Sequence, residues 1–178
     1  MKGPLFYSKI LLFGEYGIIE DSKGLSIPYN FFNGALKIAE NPTLESKKSN
    51  NILADFCSYL KQLDELDLDL ISFEKHIKKG LYFDSSIPKG YGVGSSGALV
   101  AAVYDKYSNN KITVLENLTR EKLLVLKSIF SKMESFFHGK SSGLDPLNSY
   151  LSIPILIKSK DDINVTGIPS QKLNGTGA

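Results

Sequence analysis

One cysteine, one arginine and no long apolar run set the first limits on this 178-residue chain. Cys57 stands alone, so no disulfide can form within the chain, and a reducing compartment is expected. Arg120 is the sole arginine; the remaining positive charge is lysine spread along the chain, and the net charge is only +2. Nucleic-acid binders concentrate basic residues and favour arginine forks, so neither DNA nor RNA is expected as a partner. No segment reaches the roughly 18 apolar residues that a membrane span needs. The N-terminal "MKGPLFYSKILLFGEYG" starts basic and turns apolar, but Ser8 and Lys9 interrupt it and no small-residue cleavage site follows. It is therefore not read as a signal peptide. Internal repeats and low-complexity segments are also missing. Together these absences predict a cytoplasmic chain with no membrane partner.

What is present suits a globular domain: 42% hydrophobic and 22% charged residues, enough for a core without staples. "LFYSKILLFGEY" (5–16) reads as a buried strand. "KGLSIPYN" and "GALKIAE" read as two short strands, and "TLESKKSNN" as a polar loop. Ile52, Phe56, Leu60 and Leu63 form a helical stripe that also holds Cys57. The alternation of Leu66, Leu68 and Leu70 is strand-like but ambiguous. "GLYFDSSIP" alternates up to Pro88. Helices are expected from near Ser95 and from about Thr119 to His138, the second stopped by Gly139. "SSGLDPLNSYL" reads as a loop entering a short helical piece, and "PILIKSKDDINVTGI" predicts a hairpin. Strands and helices without a regular βαβ rhythm predict an α+β fold.

The densest signal is "GYGVGSSG", with four glycines and two serines in eight residues. A plain strand-to-helix turn needs fewer glycines. Gly92, Gly94 and Gly97 match a dinucleotide fingerprint, but the acidic residue that should end the next strand is lacking; Glu116 precedes a helix instead. A phosphate cradle is the third reading. Bare backbone amides converge on an anion, and the following helix N-terminus adds its free N–H groups. Gly90 opens this stretch and Gly97 closes it. Ser95 and Ser96 sit where hydroxyls can cap the helix or reach a phosphate or its Mg²⁺. No Walker-type lysine follows, so this is a different loop.

A second constellation is "ESFFHGKSSGLDP". Glu134 shares a helix face with Phe130 and His138, and the chain then turns to deliver Asp145. Two carboxylates near a triphosphate have two natural tasks: one binds Mg²⁺, the other positions or deprotonates an attacking hydroxyl. Lys9 lies within an apolar strand. It either reaches solvent at an edge or meets an anion, with Asp145 or a phosphate as the partner.

In this order and spacing, three stretches resemble the GHMP kinases: "SKILLFGEYGII" their first motif, "IPKGYGVGSSGALVAA" their second, and "ESFFHGKSSGLD" a later run. The third is similar to the run typical of the mevalonate kinase branch. The resemblance implies an ATP-dependent small-molecule kinase, most like one phosphorylating mevalonate in isoprenoid precursor synthesis. Phosphomevalonate kinase or another branch, or a non-catalytic nucleotide-binding fragment, are the alternatives. It implies that Gly92, Val93, Gly94, Ser95 and Ser96 wrap the triphosphate of ATP, with Ser96 and Glu134 as Mg²⁺ ligands. Asp145 would face the substrate hydroxyl, and Lys9 would pair with it and stabilise developing charge. Glu15, Tyr16 and His138 would lie on the substrate side, and Ser142 would support the Asp145 loop. Tyr16 departs from the histidine common in mevalonate kinases, which leaves the acceptor open. Family members usually carry a second, C-terminal domain. The expectation here is therefore a single N-terminal domain over 1–178, completed by a second chain or a homodimer, or acting alone.

Overall fold

The computed structural model describes residues 3–13, 24–63, 65–113, 118–159 and 162–165. Its elements run β1 (Phe6–Phe13), β2 (Gly24–Ile38), α1 (Leu44–Leu60), α2 (Leu70–Lys78), β3 (Leu81–Ser85), α3 (Ser95–Tyr107), α4 (Arg120–His138), α5 (Leu144–Leu151), β4 (Ile155–Ser159) and β5 (Asp162–Val165). All strand pairs among the described residues are antiparallel, and the fold is α+β as expected. The sheet order is β1-β2-β4-β5, with β3 also pairing to β2. No helix among the described residues is long and apolar enough to cross a membrane.

The two short strands expected before residue 40 are one strand of 15 residues. Pro28 does not break it, for a reason visible in the ladder. Pro28 faces Lys9 across the β1–β2 pair, and the Lys9 N–H donates away from β2, to the Val93 carbonyl at 3.0 Å. That makes Lys9–Pro28 a non-hydrogen-bonded pair. On its other side β2 meets β4 at Gly24–Ser26 and β3 at Gly34–Ile38, leaving Pro28 in the gap. No ladder bond needs its missing donor.

A second correction concerns the polar loop predicted at 43–51, which is the first half of α1. Thr43 and Ser46 form a reciprocal capping box: the Ser46 N–H donates to Thr43 Oγ1 at 3.1 Å and the Thr43 N–H to Ser46 Oγ at 2.9 Å. The polar residues then bind β3 and the last turn of α2. Ser49 Oγ exchanges hydrogen bonds with the Phe83 backbone, and Asn50 Nδ2 donates to the carbonyls of Ile77 and Leu81. Apolar periodicity is blind to a helix docked by such bonds. Likewise, the Leu66–Leu70 alternation resolves into a linker. Leu68 makes an isolated bridge to Ser108, and α2 begins at Leu70 behind its Asp69 cap.

The core gathers around α3, whose residues from Gly97 to Tyr104 are all buried. Its small side chains let α5 approach closely. Tyr104, Phe130 and Tyr150 meet edge to face at 5.1–5.6 Å and join α3, α4 and α5. Ser149 Oγ on α5 donates to the Tyr7 carbonyl at 2.6 Å, and Asn148 Nδ2 to that of Ser26 at 3.3 Å. Cys57 packs in this core.

Candidate active site

The glycine-rich loop between β3 and α3 forms one wall of a cavity of about 840 Å³, a size that holds a nucleotide-sized ligand. α1, β3, Phe137, His138 and Asp145 supply the other walls. Gly90, Gly92 and Gly94 all have positive φ, near +82°, +67° and +81°. That left-handed backbone is strained for any residue with a Cβ. A Cβ at Gly90 or Gly92 would meet nothing within 4 Å among the described residues. Those two glycines therefore serve the chain path and leave the loop bare. Gly94 is different. A Cβ there would lie 3.1 Å from Lys9 Cγ and 3.8 Å from Asp145 Oδ2.

Gly94 is also the N-cap of α3, and among the described residues no side chain caps it. The amides of Ser95, Ser96 and Gly97 open α3 without carbonyl partners within the helix, and the helix dipole adds partial positive charge. This is an anion-binding arrangement. Neither serine caps the helix, one of the two roles their sequence position left open.

Across the loop, Lys9 Nζ stands 3.1 Å from Asp145 Oδ1. The lysine is thus not an edge residue reaching for solvent. α5 places the aspartate through two tight backbone contacts. A Cβ on Gly97 would fall 2.7 Å from the Asp145 carbonyl carbon, and one on Gly143 would fall 2.2 Å from the Lys127 carbonyl oxygen on α4. Gly143, with φ near +75°, starts α5.

Glu134 is buried on α4 at 3% exposure, which is costly for a carboxylate unless donors meet it. Ser96 Oγ donates to its Oε1 at 3.1 Å, and Ser141 Oγ donates to its Oε2. Burial pushes the Glu134 carboxyl above its ordinary range and nearby Asp145 adds to this; Ser141, Ser96 and His138 act against it. His138 Nε2 lies 3.0 Å from Ser96 Oγ, so the structure sets this residue beside the expected Mg²⁺ ligands. Ser142 Oγ accepts the Leu144 N–H at 3.4 Å at the start of α5.

Glu15 and Tyr16 lie outside the described residues. Ser141 was missed by sequence reasoning, although a serine seven residues past a buried glutamate and just beyond a helix stop is a signal. Lys89 lines the cavity, and His76 on α2 bonds the Tyr107 hydroxyl at 2.9 Å. Among the described residues, no three of His, Cys, Asp and Glu gather to hold a metal by themselves.

The fold is similar to that of the mevalonate kinase of Methanococcus jannaschii, at a TM-score of 0.53 and 16% identity, over 94% of this chain and 56% of that one. It is also similar to a second mevalonate kinase structure, at 0.51 and 16%, over 91% and 55%. The chain thus spans a little over half the length of these enzymes, and at such identities the likeness is one of fold. Comparison with curated proteins finds no match. Residues 53–152 match the family described as GHMP kinases N terminal domain, so the loop, Glu134 and Asp145 all fall within the match, and the chain belongs to the GHMP kinase family.

Proposed function

We propose that this chain is the nucleotide-binding part of an ATP-dependent kinase that phosphorylates the hydroxyl of a small molecule, with mevalonate as the first acceptor to test. One observation carries the reading. The Lys9–Asp145 pair lies directly against Gly94, at the uncapped start of α3. A carboxylate capable of receiving a hydroxyl proton is thereby set beside amides capable of holding a phosphate.

The residues fit ATP and Mg²⁺. The loop backbone is bare where a phosphate would lie. Ser96 and Glu134 offer a hydroxyl and a carboxylate oxygen, a donor set suited to Mg²⁺, which is held by one or two protein oxygens plus phosphate oxygens. When bound, ATP supplies the phosphoryl group and Mg²⁺ neutralises its charge. The chain's own part is positional and protonic. The amides of Ser95, Ser96 and Gly97 orient the phosphates. Asp145 accepts the proton of the acceptor hydroxyl, and Lys9 holds Asp145 in place while setting positive charge beside the reacting oxygen. The fold likeness to mevalonate kinases supports an isoprenoid-precursor enzyme, and a lone buried cysteine, Cys57, suits a cytoplasmic setting.

The test is Mg²⁺-dependent phosphoryl transfer from ATP to mevalonate by the purified chain, with phosphomevalonate and galactose in parallel. Turnover of one acceptor that Asp145→Ala abolishes supports the reading and names the substrate. Nucleotide binding that Gly94→Asp removes, without turnover, supports the nucleotide site alone. A chain that binds no nucleotide refutes the proposal.

A further inference from the structure

Ser96 Oγ is held between two groups, Glu134 Oε1 at 3.1 Å and His138 Nε2 at 3.0 Å. Both can accept a hydrogen bond, and the hydroxyl has one proton to give. The other oxygen of Glu134 takes the only side-chain proton of Ser141, whose Oγ accepts the Gly143 N–H at 3.0 Å. An ionised carboxylate only accepts. With Glu134 ionised, the proton of Ser96 goes to Oε1, and the contact to His138 is then satisfied only if Nε2 carries a hydrogen.

We infer that His138 is a positioning residue acting through Ser96: its Nε2–H sets the hydroxyl so that the proton points to Glu134 and the second lone pair of Ser96 Oγ is left uncommitted for a divalent cation. This goes beyond the proposed function but rests on its reading of Ser96 and Glu134 as the cation-side pair. The placement follows from the helix. His138 is four residues beyond Glu134, on the same face of α4. Glu134 is buried while His138 is exposed at the helix end, so the serine is held from its inner and its solvent side. The opposite wiring needs a proton on Glu134 Oε1 and moves the imidazole hydrogen to Nδ1. That arrangement leaves the carboxyl in the wrong state to meet a cation.

Two measurements test this. The first needs no ligand: the ¹⁵N chemical shifts of the imidazole report which ring nitrogen carries the hydrogen. The chain has two histidines, and His76→Gln isolates the signal of His138. The Nε2–H tautomer is expected, and the Nδ1–H tautomer overturns the inference. The second is ATP affinity with Mg²⁺ and with EDTA. The gain that Mg²⁺ gives should fall about tenfold in His138→Ala, a typical loss for a group that orients a metal ligand. His138→Gln, whose amide nitrogen replaces Nε2, should restore most of it, and His138→Asn, whose amide replaces Nδ1, should not. Equal Mg²⁺ dependence in wild type and His138→Ala overturns the inference and leaves the nucleotide site standing. A wild-type chain that binds no ATP overturns both.

Discussion

Lys9 on β1 and Asp145 on α5 are separated by 136 positions in sequence, yet their side chains meet at 3.1 Å, with Gly94 pressed against both. The lysine is largely covered, at 13% exposure, while the aspartate is 35% exposed and opens to the cavity. An ion pair open to solvent on one side adds only modest stability. This one is better understood as a device for aiming a carboxylate.

Asp145→Asn should therefore separate chemistry from binding. Turnover is expected to fall by about 10² to 10⁴, the range of a lost general base. ATP affinity should stay within a few-fold, because the amides of α3 are untouched. Single-turnover assays beside equilibrium binding make the comparison. Equal losses in both would assign Asp145 to binding.

Gly143→Ala and Gly139→Ala form a matched pair. Both glycines have positive φ, near +75° and +68°. A Cβ at Gly139 would meet nothing within 4 Å among the described residues, whereas one at Gly143 would strike the α4 backbone at 2.2 Å. Gly139→Ala should cost about 1 to 2 kcal/mol, because φ near 68° with ψ near −39° lies outside the left-handed helical well. Gly143→Ala should cost about 3 kcal/mol, since the turn must also move. Urea melts of the two variants test the ranking, and equal losses would show that the turn yields freely.

Glu134→Gln should stabilise the chain at neutral pH while removing Mg²⁺-dependent ATP affinity. Burial, the largest cause, raises the carboxyl, so the folded chain holds this proton more tightly than the unfolded chain does. The stabilising contribution of that proton is full below the unfolded carboxyl range and is lost as pH rises through the raised folded value. At pH 7.5 the buried charge is a net cost, and its removal should add on the order of 1 kcal/mol, a typical exchange of function for stability. The difference between wild type and variant should shrink as pH falls toward about 4. A pH-independent difference would point to packing instead.

Asn50→Ala tests the docking of α1. Its side-chain amide satisfies two backbone carbonyls on another part of the chain, at 2.9 and 2.7 Å. Loss of both should cost about 1 to 3 kcal/mol. It should also loosen the cavity wall that α1 forms, read as faster amide exchange at Leu81 and Phe83. Unchanged exchange would mean that apolar contacts alone hold this wall.

Much of this architecture can be read from the residues. Thr119, the apolar stripe from Leu123 to Met133 and Gly139 mark α4 at both ends, because cap, stripe and stop agree. The β4–β5 pairing follows from its two β-rich runs. The neighbourhood of Lys9, Gly94, Ser96, Glu134 and Asp145 was legible because each residue sits in a motif with its own physical signal. The start of α1 was not, because Ser49 and Asn50 bind backbone where an apolar residue would announce the face. Nor was the continuity of β2, since Pro28 is harmless only in a gap that tertiary pairing creates. Ser141 escaped notice because its bond to Glu134 spans a turn that the sequence marks only as glycine and serine.

The contacts at Gly97 and Gly143 have a further meaning. At both joints the would-be side chain meets main chain, Asp145 and Pro146 in one case and Lys127 and Ser131 in the other. The offset between the elements carrying Ser96, Glu134 and Asp145 is therefore gauged by peptide units, whose dimensions are the same whatever residues surround them. Leucines, phenylalanines and tyrosines behind the site can change volume and rotamer without resetting that gauge. Precision at the cleft and resilience of the interior are in this way separately adjustable, and mutational drift in one need not be transmitted to the other.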